Sequence, residues 1–107
     1  MINNYKEIIN YFSKNYLKDD FTELWVIVNK IYDENPKMNF SEIIKTTLVI
    51  LDDLITNHHV KLLNEKNLKP YNLDKSQILQ EVEKHLKKLN RIPTIGDGIW
   101  LTINNNS

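Results

Sequence analysis

Between Asn39 and Asn57 the chain carries a segment that is apolar on more than one side, and this limits the fold more than any other feature. Phe40, Ile43, Ile44, Thr47, Leu48, Leu51, Leu54 and Ile55 recur at helical spacing and form one stripe. Val49 and Ile50 fall outside it. A helix with water on one side gains nothing from apolar residues there, so this one belongs at the centre, touched on two faces. Its start is signalled twice. Asn39 is a cap with Glu42 at the third position, and Met38 and Ile43 sit where a hydrophobic staple would close.

Three further helices supply the neighbours. Ile2 to Leu17 places Ile2, Tyr5, Ile8, Ile9, Phe12 and Tyr16 on one stripe, with Tyr11 off it. Asp20, with Glu23 three residues on, predicts the cap of a second helix whose stripe is Phe21, Leu24, Trp25, Val28, Ile31 and Tyr32. Val26 and Ile27 widen that arc, and Pro36 ends the helix near Glu34. Asp74, with Gln77 at the third position and Leu73 stapling to Ile78, predicts a last helix. Its stripe is Ile78, Val82, Leu86 and Leu89, with Leu79 and His85 alongside, and Asn90 and Pro93 mark its end.

Two short segments read as strands. Val60-Lys61-Leu62-Leu63 follows Asn57-His58-His59, and Ile99 to Ile103 alternates large apolar residues after a turn at Gly96-Asp97-Gly98. An isolated strand leaves its amides unpaired, so each is the other's expected partner. Asn64 to Leu73, with Pro70, reads as loop, and Asn104 to Ser107 as a frayed end. The expected fold is mainly α (α+β): four helices with a small two-stranded β-sheet, in one domain over residues 1–107. A chain of 107 residues is long enough to bury a core without a staple.

Composition removes several function classes. There are no cysteines, which excludes disulfides and thiolate metal sites and fits a reducing compartment. The first twenty residues lack the continuous apolar core of a signal peptide, and no apolar run approaches the roughly 20 residues needed to cross a bilayer. The expectation is a cytoplasmic protein that does not enter a membrane. Alanine is absent and Arg91 is the only arginine against thirteen lysines, which reads as the codon bias of an AT-rich genome.

No catalytic, cofactor-binding or metal-binding set emerges. His58 and His59 are adjacent and point apart, as do Asp52 and Asp53, and His85 reads as a half-buried packing residue. Ser13, Ser41 and Ser76 lie near or within helix ends, outside any Gly-flanked elbow, and Gly96-Asp97-Gly98 is too short for a phosphate loop. The sequence therefore reads as a binding protein and not as an enzyme.

Fourteen basic residues balance fourteen acidic ones, which argues against a dedicated nucleic-acid binder. Residues 1–59 hold six Lys against nine Asp or Glu, a net of −3, and residues 60–107 are +3, with eight Lys or Arg against five acids. A helix, a strand, a helix and a last strand also suit a winged-helix-like DNA-binding regulator. Lys84, Lys87, Lys88 and Arg91 would then meet phosphates, and Lys75, Ser76, Gln77 and Gln80 would face the bases. Glu81 and Glu83 interrupt that basic face, and cations near a helix C-terminus also serve its dipole.

A protein partner is the favoured alternative. Tyr11, Val26, Ile27, Val49 and Ile50 exceed what single-stripe helices need. A core wrapped round both sides of the third helix takes most of them; any left exposed together mark an interface. Asp19, Asp20, Glu23, Asp33 and Glu34, around the second helix, are the candidate partner-binding residues, as a polar rim or against a basic partner.

Leu24-Trp25-Val26-Ile27-Val28, the run Ile43 to Ile55 into Val60-Lys61-Leu62-Leu63, Pro93 and Gly96-Asp97-Gly98-Ile99-Trp100-Leu101 carry a resemblance. Over residues 20–103 the chain resembles small bacterial immunity proteins of contact-dependent growth inhibition and related polymorphic-toxin systems. The resemblance implies a cytoplasmic inhibitor that binds a cognate protein toxin domain, a nuclease among the candidates, and blocks its active site or substrate path.

Overall fold

The computed structural model describes residues 5–12, 21–63, 69, 71, 73–94 and 99–103. Their elements run α1 (Tyr5–Tyr11), β1 (Phe21–Glu23), α2 (Leu24–Glu34), α3 (Phe40–His58), β2 (Val60–Leu63), α4 (Lys75–Leu89) and β3 (Trp100–Ile103). The chain is mainly helical, with four helices and a small antiparallel sheet among these residues.

α3 is the axis. It packs against α1, α2, α4 and β2, and Ile43, Ile44, Thr46, Thr47, Ile50, Leu51 and Leu54 are all buried. Ile50, off the main stripe, is fully enclosed, which is what a helix flanked on two faces requires. Asn39 caps the helix as expected, its side-chain oxygen accepting from the Glu42 amide at 2.9 Å. Met38 packs half-buried against the core. The Thr47 hydroxyl donates to the Ile43 carbonyl at 2.7 Å, so this buried polar group is satisfied inside its own helix. The helix closes on His59, in the left-handed region at φ 58°.

α4 carries the predicted capping box: Asp74 accepts from the Gln77 amide at 2.9 Å, and the Gln77 side chain accepts from the Asp74 amide. Its other end turns on Asn90, also left-handed at φ 53°. Leu73, expected to staple to Ile78, stays 40% exposed. Asp52, Thr56 and Lys75 tie α4 to α3: Lys75 Nζ lies 2.8 Å from Asp52 and 3.0 Å from the Thr56 hydroxyl.

The sheet has three strands in the order β1-β3-β2, so the expected β2–β3 pair gains a third member. Phe21 to Glu23 forms a strand, not the first turn of a helix; its register pairs Phe21 with Thr102 and Glu23 with Trp100. On the other side of β3, Val60 pairs with Ile103 and Leu63 with Trp100. Thr22, Leu101 and Leu62 lie opposite one another across the three strands, and all three are buried. Strand side chains alternate between faces, so this row is the inward one. The Thr22 hydroxyl therefore sits in an apolar row and has no hydrogen-bond partner.

α2 begins at Leu24, with Glu23 at the cap position and no side-chain cap. The orphan amide of Leu24 instead donates to the Ile99 carbonyl at 2.9 Å. Ile99, expected within the last strand, precedes it in the left-handed region at φ 50° and is buried. A β-branched residue is strained there, so burial and the bond to Leu24 must hold it in place.

Buried apolar residues from each of α1, α2, α3, α4, β2 and β3 join one hydrophobic cluster. The predicted first helix is described over Tyr5–Tyr11 and at Phe12; residues 2–4 and 13–17, the Asp20 cap, the turn Gly96-Asp97-Gly98, most of the Asn64 to Leu73 loop and Asn104 to Ser107 lie outside the described residues.

Candidate functional site

The face α2 turns inward is Leu24, Ile27, Val28 and Ile31. This is rotated from the stripe read in the sequence: Ile27 goes into the core, Trp25 is only half-buried, and Tyr32 is 40% exposed. The opposite face of α2 therefore presents Trp25, Val26, Asn29 and Asp33 outward at helical spacing. Of the five surplus apolar residues, Ile27 and Ile50 are absorbed by the core. Val49 is half-buried on α3. Tyr11 and Val26 come together.

They meet at a groove of about 220 Å³ between the end of α1 and this face of α2, lined by Tyr11, Phe12, Trp25, Val26, Asn29, Lys30 and Asp33. Phe12 is fully buried and anchors the α1 side, with its ring edge-on to Tyr11 at 5.1 Å between centroids. Lys30 reaches across from α2, its Nζ 4.7 Å from the Tyr11 ring centroid, a cation–π contact that bridges the two walls. The same ammonium pairs with Glu34 at 3.1 Å, one helical turn on. Asp33 is exposed and makes no ion pair among the described residues. The Trp25 indole N–H is buried without an acceptor, a cost the fold carries at this spot. Asn29 fixes the wall, donating to the Trp25 carbonyl at 2.8 Å and to the Pro93 carbonyl at 2.9 Å.

Compared with models of known protein families, with curated proteins and with solved structures, the chain has no significant match. Its own side chains are what a functional reading has to rest on.

The acidic residues singled out in the sequence divide. Asp33 lines the groove and Glu34 holds the lysine that crosses it. Glu23 lies half-buried on β1 with an interaction of its own. Asp19 and Asp20 lie outside the described residues.

The other candidates are held in local contacts. Among the described residues no three His, Asp or Glu side chains could share a metal ion. His58 lies 3.5 Å from Asp53, while Asp52 faces Lys75 and Thr56. The hydrogen bond from Lys75 holds the Asp52 carboxyl below its ordinary value near 3.8. Desolvation opposes this, and the Lys75 charge and the Thr56 hydroxyl add to the lowering. His85 is half-buried with Nε2 enclosed and unpartnered. On α4, Lys84 lies 3.8 Å from Glu81 and Lys87 3.3 Å from Glu83, and Arg91 donates to the Ile92 carbonyl. Lys75 and Gln77, at the end that would face bases, are engaged by Asp52 and the capping box. Among the described residues no helix is long and apolar enough to cross a membrane.

The signal for the groove was present in the sequence as surplus apolar residues and acids near α2. Lys30 was missed, because a lone lysine on a helix carries no pattern until its ring and its carboxylate are placed around it.

Proposed function

We propose that this protein neutralises a cognate protein toxin domain by binding it, as an immunity protein of the contact-dependent growth inhibition type acting in the cytoplasm. The α1/α2 groove is the contact surface. One observation carries the reading: the exposed Tyr11 and the half-buried Val26, which packs on the core from outside, lie with Trp25 on one face, and Asp33 and Glu34 stand at its edge. Aromatic side chains at the centre of a patch with charge around it are the composition of a protein-binding surface. A DNA-binding regulator would instead use α4, where acidic neighbours offset two of the lysines.

The test is retention from lysate of the source cells at physiological salt, using the tagged protein and its Asp33→Lys variant as baits. The reading expects one protein held in equimolar amount by the first bait and lost from the second. Expressed alone, that protein must be toxic, and co-expression of this chain must restore growth. Retention of duplex DNA, or a retained protein that is harmless alone, overturns it.

A further inference from the structure

The charges along the groove are not balanced, and the imbalance identifies what it accepts. Lys30 is neutralised by Glu34 and spread over the Tyr11 ring. That leaves the Asp33 carboxylate as the lining charge without an ionic partner among the described residues. Apolar walls from Trp25 and Val26 lead to it. At about 220 Å³ the space is smaller than the roughly 300–1,000 Å³ of small-molecule sites, and it suits a single long side chain.

We propose that the groove receives one arginine side chain of a protein partner, its methylene stem against Trp25 and Val26 and its guanidinium on Asp33. This rests on the protein-binding reading above and adds the chemistry of the anchor. Arginine meets both demands. Its planar guanidinium forms two parallel hydrogen bonds with a carboxylate, it is weakly hydrated, and it lies flat on aromatic rings. The Tyr11 ring is taken by Lys30, whose charge Glu34 offsets, so the place left for a guanidinium is on the Asp33 side of the groove. An acidic side chain would face Asp33 directly and be repelled.

The test is a titration of the whole protein with N-acetyl-arginine methylamide, followed by ¹H–¹⁵N NMR. The citrulline analogue, equal in shape and uncharged, is the control. Expected is saturable binding with a dissociation constant of the order of millimolar, with shifts confined to the Trp25 indole N–H and the amides of Asn29, Lys30 and Asp33. Asp33→Asn, a change at an exposed position whose spectrum also reports an intact fold, is expected to bind roughly threefold to tenfold more weakly. Shifts scattered over the surface, equal binding of citrulline, or an unchanged affinity in Asp33→Asn overturn the proposal. The two readings fail separately. A toxic partner without arginine binding removes the anchor and leaves the immunity reading; arginine binding without a toxic partner does the reverse.

Discussion

The Asn29 side chain donates to the Pro93 carbonyl across 64 positions of sequence, at 2.9 Å, while also holding the Trp25 carbonyl one turn back on its own helix. Pro93 is buried, so its carbonyl depends on partners from the protein. The bond joins the segment after α4 to the outward face of α2, directly beside the groove. Asn29→Ala is expected to cost about 1–2 kcal/mol, read from the urea midpoint at unchanged slope. A cost within error would mean that the Pro93 carbonyl finds another donor.

Two of the buried threonines make opposite predictions. Thr22 is buried between apolar neighbours with its hydroxyl unpartnered, whereas Thr47 donates to the Ile43 carbonyl. Thr22→Val is expected to stabilise by about 1 kcal/mol, since it removes an unpaired polar group and keeps a β-branched shape on a strand. Thr47→Val is expected to be neutral or to destabilise by up to about 1 kcal/mol. Thermal unfolding of the pair decides it, and a destabilised Thr22→Val would mean that its hydroxyl is bonded.

Among the described residues, three other than glycine hold positive φ: His59, Asn90 and Ile99. His59 and Asn90 are exposed at helix ends, so glycine removes strain there without loss of packing. His59→Gly should stabilise by about 0.5–1 kcal/mol and Asn90→Gly by less, because asparagine tolerates this region better. At buried Ile99 both truncations lose packing, but Ile99→Gly should be at least as stable as Ile99→Ala, the reverse of the usual order. Chemical denaturation of the four variants tests all three angles.

The Asp52–Lys75 pair should leave a small acid-dependent mark. The Asp52 carboxyl is lowered in the fold from its ordinary value near 3.8. Its contribution is therefore complete above that value and is lost as pH falls through the lower folded value. The two side chains are 50% and 43% exposed, so Asp52→Asn is expected to cost less than about 1 kcal/mol at neutral pH. That difference should shrink in high salt and vanish in strong acid. A difference independent of pH would mean that it does not arise from the ionised carboxylate.

The sequence made α3 and α4 legible because their signals are local. Asn39 with Glu42 and Asp74 with Gln77 each state a helix start within four residues, and both bonds form. The β2–β3 pair followed from the need of each strand for the other. β1 was not legible. Three residues have no periodicity of their own, and Phe21 with Leu24 and Trp25 fits a helical stripe as well as Phe21 to Glu23 fits a strand. What decides is Thr22 lying beside Leu101, far along the chain. The same distant contact moved the start of α2 and, with it, the face that Trp25 presents. Ile99 looked like strand because its side chain belongs in one; its angle is set by the bond from Leu24, which no local pattern encodes. The groove was half legible: the surplus of Tyr11 and Val26 could be counted, but their meeting needed the end of α1 to be placed beside α2.

β3 lies between two strands that precede it in the chain, and this sets an order of assembly. α2 and α3 draw on neighbours in sequence and can form as soon as they are made, while β1 and β2 must wait, because the strand that joins them comes last. Until then both offer open edges to any other chain. β3 fills the slot between them, and its arrival brings the Ile99 carbonyl that caps α2.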